Sequence, residues 1–134
     1  MTKPDYQQLI AKAKEASSKA YCPYSGCSVG AALLCVDGKI FTGCNAENTI
    51  IGITICAERT AITKAISEGY REFRAIAVFS PKSSFFMPCG VCRQFLSEFG
   101  LDLDVAVENE GGAAQVFKLK ELLPGASVAG ANIT

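Results

Sequence analysis

The chain has 134 residues, of which 49% are hydrophobic and 19% charged, enough for one domain with a genuine core. Thirteen basic residues balance thirteen acidic ones, so no net charge draws the chain to a nucleic acid or an anionic membrane. There is no histidine, which removes both the usual general base and the usual nitrogen ligand for a metal.

Residues 6–20 place Leu9, Ile10, Ala13 and Ala16 near helical spacing and predict an amphipathic first helix. Cys22-Pro23-Tyr24-Ser25-Gly26 is turn chemistry that ends it. Residues 29–36 and 39–44 predict two antiparallel strands joined at the hairpin dipeptide Asp37-Gly38. Residues 45–54 show no period and read as a loop. Residues 57–68 carry Ala61, Ile62, Ala65 and Ile66 at helical spacing, with Gly69 as a C-cap. Residues 74–79 alternate as a strand, 80–87 form a loop, 90–99 a third helix stopped by Gly100, and 103–107 another strand. Gly111-Gly112 marks a turn before Val116-Phe117, and residues 120–123 a last short helix before Pro124. This order predicts an α/β fold, one domain over 1–134, with helices covering the faces of a mixed sheet.

Seven cysteines form an odd set. The opening residues are polar rather than a secretory signal, and no run approaches the roughly 20 apolar residues of a membrane span. A reducing, cytoplasmic setting is expected, where thiols serve as ligands or small core residues. Cys22, Cys27, Cys35 and Cys44 read as packing.

The remaining three lie in Cys56-Ala57-Glu58 and Pro88-Cys89-Gly90-Val91-Cys92. Cys56 precedes the second predicted helix, and Cys89 and Cys92 open the third. Helix starts carry partial positive charge and unpaired N–H groups, which favour thiolate. Pro88 fits just ahead of a helix, where its missing N–H costs little. Three thiolates can hold one zinc ion with its fourth position open to water, as in catalytic rather than structural sites. Glu58 is then placed to move protons. Each piece alone is ambiguous. Cys-x-x-Cys is also a redox motif, or half of a structural site with Cys44 as fourth ligand. Glu58 alone is an ordinary first-turn carboxylate, and Arg59 and Arg93 are solvated charges.

Together, Cys-x-Glu followed by Pro-Cys-x-x-Cys is the signature of zinc nucleobase deaminases. The chain resembles the small homotetrameric cytidine deaminases in particular. Similarity runs over residues 21–124, through Cys22-Pro23-Tyr24-Ser25, Gly43-Cys44-Asn45-Ala46-Glu47-Asn48, Cys56-Ala57-Glu58-Arg59 and Pro88-Cys89-Gly90-Val91-Cys92-Arg93-Gln94. The resemblance implies a three-layer α/β/α cytidine deaminase-like fold with a mixed five-stranded sheet. It implies one Zn²⁺ per subunit on Cys56, Cys89 and Cys92, and hydrolysis of cytidine and deoxycytidine to uridine and deoxyuridine with release of ammonia. Glu58 is then the proton carrier, and Arg59 the guanidinium partner of the thiolates, with Arg93 a second candidate. Asn45 and Glu47 match positions that bond the sugar hydroxyl, and the Ala57 N–H a donor to the pyrimidine carbonyl. The expected partner is a small-molecule nucleoside, not nucleic acid or membrane, bound by a homotetramer.

Three positions depart from the family. Cys27, a candidate substrate contact, stands where a pocket aromatic is usual. Ile51 replaces a second ring, and Ala126-Ser127-Val128 replaces Ser-Phe-Gly. Each lost ring removes about 0.5–1.5 kcal/mol of stacking, and the vacated volume can admit a larger ligand. Phe41, Phe85 and Phe86 are the rings that can substitute. The alternative substrate is therefore a modified cytosine nucleoside, N4-substituted or blasticidin-like. A zinc-stabilised, non-catalytic binding module would need a fourth protein ligand. A polynucleotide-editing enzyme would need a basic, aromatic stripe, which the sequence lacks.

Overall fold

The computed structural model describes residues 3–126. Helix α1 (Tyr6–Ser17) starts at Asp5, whose carboxylate accepts the Gln8 N–H at 3.1 Å. It ends at Ser17 rather than residue 20. The Ser17 and Ser18 hydroxyls bond back to the carbonyls of Lys14 and Glu15, and the N–H groups of Lys19 and Ala20 close tighter turns on Ala16 and Ser17.

Five strands form one mixed sheet: β1 (Gly30–Cys35), β2 (Ile40–Cys44), β3 (Phe73–Phe79), β4 (Asp104–Glu108) and β5 (Ala114–Lys118), in the order β2-β1-β3-β4-β5. All pairings are antiparallel except β3 with β4. The β1–β2 turn uses Gly38 at φ 98°, a conformation that glycine enters without steric cost. Parallel neighbours require a crossover, and helix α3 (Gly90–Ser97) provides it between β3 and β4. Helix α2 (Ala57–Ser67) lies between β2 and β3 in the chain, and α4 (Leu119–Leu122) follows β5.

The sheet's two faces differ in side-chain size. One presents Ala32, Ala75, Ala77 and Ala106 to Leu9, Ile10 and Ala13 of α1. The other packs Leu33, Ile76, Val78 and Val105 against Ile62 of α2, Leu96 of α3 and Leu119. This is the expected three-layer α/β/α arrangement, and the alanine face lets α1 approach closely. Gly30 takes the approach to its limit: a β-carbon there would lie 1.9 Å from the Ala13 carbonyl oxygen and 2.6 Å from the Ser17 nitrogen. On the opposite side, a β-carbon at Gly43 would lie 2.6 Å from both the Ala57 oxygen and the Ala61 nitrogen. Gly43 therefore sets how closely the first turn of α2 packs on β2.

Residues 45–54 are more ordered than a plain loop. Ala46 bridges both Tyr21 and Ile55, with 2.9 Å bonds in each direction between Ala46 and Ile55, and a 3-10 turn covers Ile51–Ile53. Single bridges impose no side-chain period, which is why the sequence showed none. Among the described residues, no helix is long and apolar enough to cross a membrane.

Gly30→Ala should destabilise the fold by about 1–3 kcal/mol or more, because the new methyl meets helix backbone rather than a movable side chain. Urea denaturation checks this, and an unchanged midpoint would show that α1 is not seated as described.

Candidate active site at two helix starts

Cys56 and Cys89 occupy the N-cap positions of α2 and α3, with extended backbone and no side-chain capping bond. Their carbonyls already accept the first helical bonds, from Thr60 and Arg93. Neither sulfur is spent on capping its own helix. Cys92 lies in the first turn of α3 and is fully buried. The sulfurs of Cys56, Cys89 and Cys92 all lie within 4.8 Å of one another, and among the described residues no fourth donor joins the group. The remaining residues, 1–2 and 127–134, contain no Cys, His, Asp or Glu.

Cys44, the fourth ligand that a closed structural site would need, instead lines a groove of about 390 Å³ beside α1, the edge strand β2 and α2, with Lys12, Lys19 and Lys64. That groove is larger than the cavity beside the thiols but has no cluster of metal donors. Three soft sulfur donors with one position left open fit Zn²⁺ of catalytic type.

Charge at the thiols is managed locally. Cys92 donates to Cys56, which lowers the Cys56 pKa, and the Arg59 guanidinium lowers it further. The same bond, with burial, pushes Cys92 up. Arg59 Nη2 reaches Cys56 Sγ at 3.3 Å and the Thr54 carbonyl at 3.0 Å. Its Nε is buried without a hydrogen-bond partner among the described residues. Arg93, the second candidate, turns elsewhere. Its Nε and Nη1 donate at 2.8 Å to the carbonyls of Pro88 and Leu122, tying the start of α3 to the end of α4.

Glu58, in the first turn of α2, is 3% exposed. Burial raises its carboxyl above the usual range, and the Cys56 charge adds to this, while its own backbone N–H and Cys92 pull the other way. A carboxyl so placed holds a proton more readily than one in water. Its residue lines a cavity of about 230 Å³ together with Cys56, Ala57 and Cys89. Asn45, Glu47 and Cys27 line the same cavity. The structure thus gathers every predicted contact residue around one space.

Asn45 and Glu47 are also bound to the chain itself. Asn45 Oδ1 accepts the Val29 N–H at 2.8 Å, and its Nδ2 donates to the Cys27 carbonyl at 2.9 Å. An amide has two donors and two lone pairs, so one of each remains available. Glu47 Oε1 accepts the N–H groups of Tyr24 and Ser25 at 2.9 and 3.1 Å, and Oε2 the Ser25 hydroxyl. These bonds lower the Glu47 pKa, the Ser25 hydroxyl most.

Of the three rings proposed as substitutes, only Phe86 lines the cavity. Phe41 is buried edge-on against Tyr70, with centroids 5.1 Å apart, and Phe85 is exposed. Ile51 is 81% exposed. Ser127 and Val128 lie outside the described residues. Sequence reasoning missed Ser80, a buried hydroxyl touching Cys27 at 3.8 Å. A serine opening a predicted loop gave no signal of it.

A family model described as the cytidine and deoxycytidylate deaminase zinc-binding region matches residues 3–107. A probable cytidine deaminase of Dictyostelium discoideum is 48% identical over 126 residues, covering 93% of this chain and 85% of that protein. A crystal structure of cytidine deaminase from Burkholderia pseudomallei superposes with a TM-score of 0.86 at 46% identity, covering 95% of this chain and all of that one. A blasticidin-S deaminase of Bacillus cereus is more distant, 35% identical over 104 residues, covering 72% of this chain and 74% of that protein. The chain belongs to the cytidine and deoxycytidylate deaminase family of zinc-binding proteins.

Asn45→Ala should leave the buried Val29 N–H unpaired and cost about 1–3 kcal/mol of stability. Thermal unfolding checks it, and a neutral result would mean that this strand end is held by something else. Cys92→Ala should lower bound zinc by about tenfold or more, read as metal per chain after dialysis against a weak chelator. Full occupancy would remove Cys92 from the ligand set.

Proposed function

We propose that this chain is a zinc-dependent cytidine deaminase, a single domain over 1–134 that hydrolyses cytidine and deoxycytidine to the corresponding uridines and ammonia. The observation that carries this reading is the three-thiol group with no fourth Cys, His, Asp or Glu donor among the described residues, whose Cys56 and Cys89 line one cavity with the buried Glu58. A metal-stabilised binding module would have closed that position. Family membership, and 48% identity to a probable cytidine deaminase against 35% to a blasticidin-S deaminase, support cytidine over the modified nucleoside. Zero net charge supports a small substrate over a polynucleotide.

Cys56, Cys89 and Cys92 hold the metal in this account. When bound there, zinc supplies a Lewis acid that makes water nucleophilic near neutral pH. Glu58 takes a proton from the attacking water and gives it to the ring nitrogen as the oxygen bonds to C4. It then takes the proton of the new C4 hydroxyl and passes it to the departing amine as the C4–N bond breaks and the C4 carbonyl forms, so water enters and ammonia leaves. Burial suits both roles, because a carboxyl with a raised pKa can both hold and release a proton. Asn45 and Glu47 direct their remaining polar capacity to the sugar, the Ala57 N–H faces the pyrimidine carbonyl, and Cys27 borders the base. Arg59 offsets thiolate charge at Cys56.

A homotetramer in the cytoplasm is part of the same reading. Ile50, Ile51, Ile53 and Ile55 form an exposed apolar run just before Cys56, a surface suited to subunit contact. Ile51→Asp should shift the sedimentation profile toward smaller species, and an unchanged tetramer would place the interface elsewhere.

Glu58→Gln should retain zinc but lose about 10²–10⁴ in kcat, the range for a positioned proton carrier. Near-normal turnover would remove Glu58 from that role. The reading as a whole is tested by ammonia release from cytidine, deoxycytidine, cytosine, an N4-substituted cytidine and blasticidin S. Cytidine and deoxycytidine should react fastest, and a zinc-loaded protein active on none of the five would sink it.

A further inference from the structure

A second cavity adjoins the active site. It measures about 160 Å³ and lies beyond the C-terminal ends of β3 and β4, lined by Phe79, Ser80, Glu108 and Asn109 among others. Ligands in open α/β sheets collect at such strand ends. Phe86 lines both this space and the active-site cavity. The partition has one further member. Cys27 borders the active site, Ser80 borders the second cavity, and their sulfur and oxygen lie 3.8 Å apart.

The two parts of this wall are held differently. Ser80 is fixed from within, since its hydroxyl donates to the Ser28 carbonyl at 2.8 Å and accepts the Lys82 N–H at 3.3 Å. Phe86 depends on the turn before it. Phe85 has φ 53°, the one positive value outside glycine among the described residues, and its N–H is anchored to the Glu108 carbonyl at 2.9 Å. Bulky side chains avoid that backbone region. The result is that consecutive rings part company: Phe85 is exposed, whereas Phe86 packs against the core and, among the described residues, presents the sole aromatic surface lining the active-site cavity.

We infer that Phe86 is the specificity-determining wall of the base pocket, closing the active site off from the second cavity and restricting the enzyme to cytosines without bulky ring substituents. This rests on the deaminase reading. It adds that one ring, held by a strained turn, sets the upper size of the base. Removing the ring joins the two spaces and enlarges the pocket on that side, at the expense of contact with the small base.

The test compares zinc-loaded wild type, Phe86→Ala and Phe86→Leu on cytidine and on C5-methyl, C5-iodo and C5-propynyl cytidines, following ammonia and recording kcat and KM separately. Wild-type kcat/KM should fall as the substituent grows. Phe86→Ala should raise the propynyl-to-cytidine ratio of kcat/KM by about tenfold or more, with the cytidine loss mainly in KM, and Phe86→Leu should fall between. An unchanged ratio in a folded, zinc-loaded variant overturns the inference, even if overall activity drops, since that is what a merely structural role would give. Should Phe86→Ala fail to fold, the ratio in Phe86→Leu decides. Wild type inactive on cytidine would instead fail the deaminase reading and take this inference with it.

Discussion

The structure depends on two helices that begin at the same place with cysteine where a capping side chain would ordinarily be. Ser, Thr, Asp or Asn at an N-cap contributes about 0.5–2 kcal/mol, and Cys56 and Cys89 make no such bond. What the helix starts lose in capping they return as electrostatics, because their partial positive charge favours thiolate. Bringing them together requires separate supports. Gly43 lets the first turn of α2 press onto β2. The parallel pairing of β3 and β4 makes α3 a crossover whose start lies at the strands' C-terminal ends. Arg93 then ties that start to α4.

Charge is the second constraint on the site. Three thiolates around a divalent cation leave a formal charge of minus one, which works against making water acidic. Arg59 answers it from a fixed position, with its guanidinium on Cys56 and on the Thr54 carbonyl. Glu58 nearby is buried, and burial disfavours its charged form. Cys56 and Glu58, one proposed metal donor and the proposed proton carrier, share one helix start, which fixes their separation independently of loops.

Much of this was legible in the sequence because it is local. Helical spacing, the Asp37-Gly38 turn and the two cysteine motifs each depend on a few adjacent residues, and the elements follow with ends displaced by short tightened turns. The ligand spacing was legible for the same reason. What escaped depends on packing across the sheet. Nothing in the chain's order indicates that Arg93 reaches Leu122, that Cys44 lines a different groove from the other thiols, or that Phe41 is committed to Tyr70. The backbone bonds of Asn45 and the contact of Ser80 with Cys27 join segments distant in sequence. Phe86 was one of three rings with equal claim until the fold separated them.

The central claim joins metal, thiols and reaction, and a metal titration tests all three together. Chain stripped of metal under reducing conditions is titrated with zinc while ammonia release from cytidine is followed. Activity should rise linearly and break at one zinc per chain. A chain that deaminates cytidine equally well without zinc, or that binds one zinc tightly and releases no ammonia, would contradict the account.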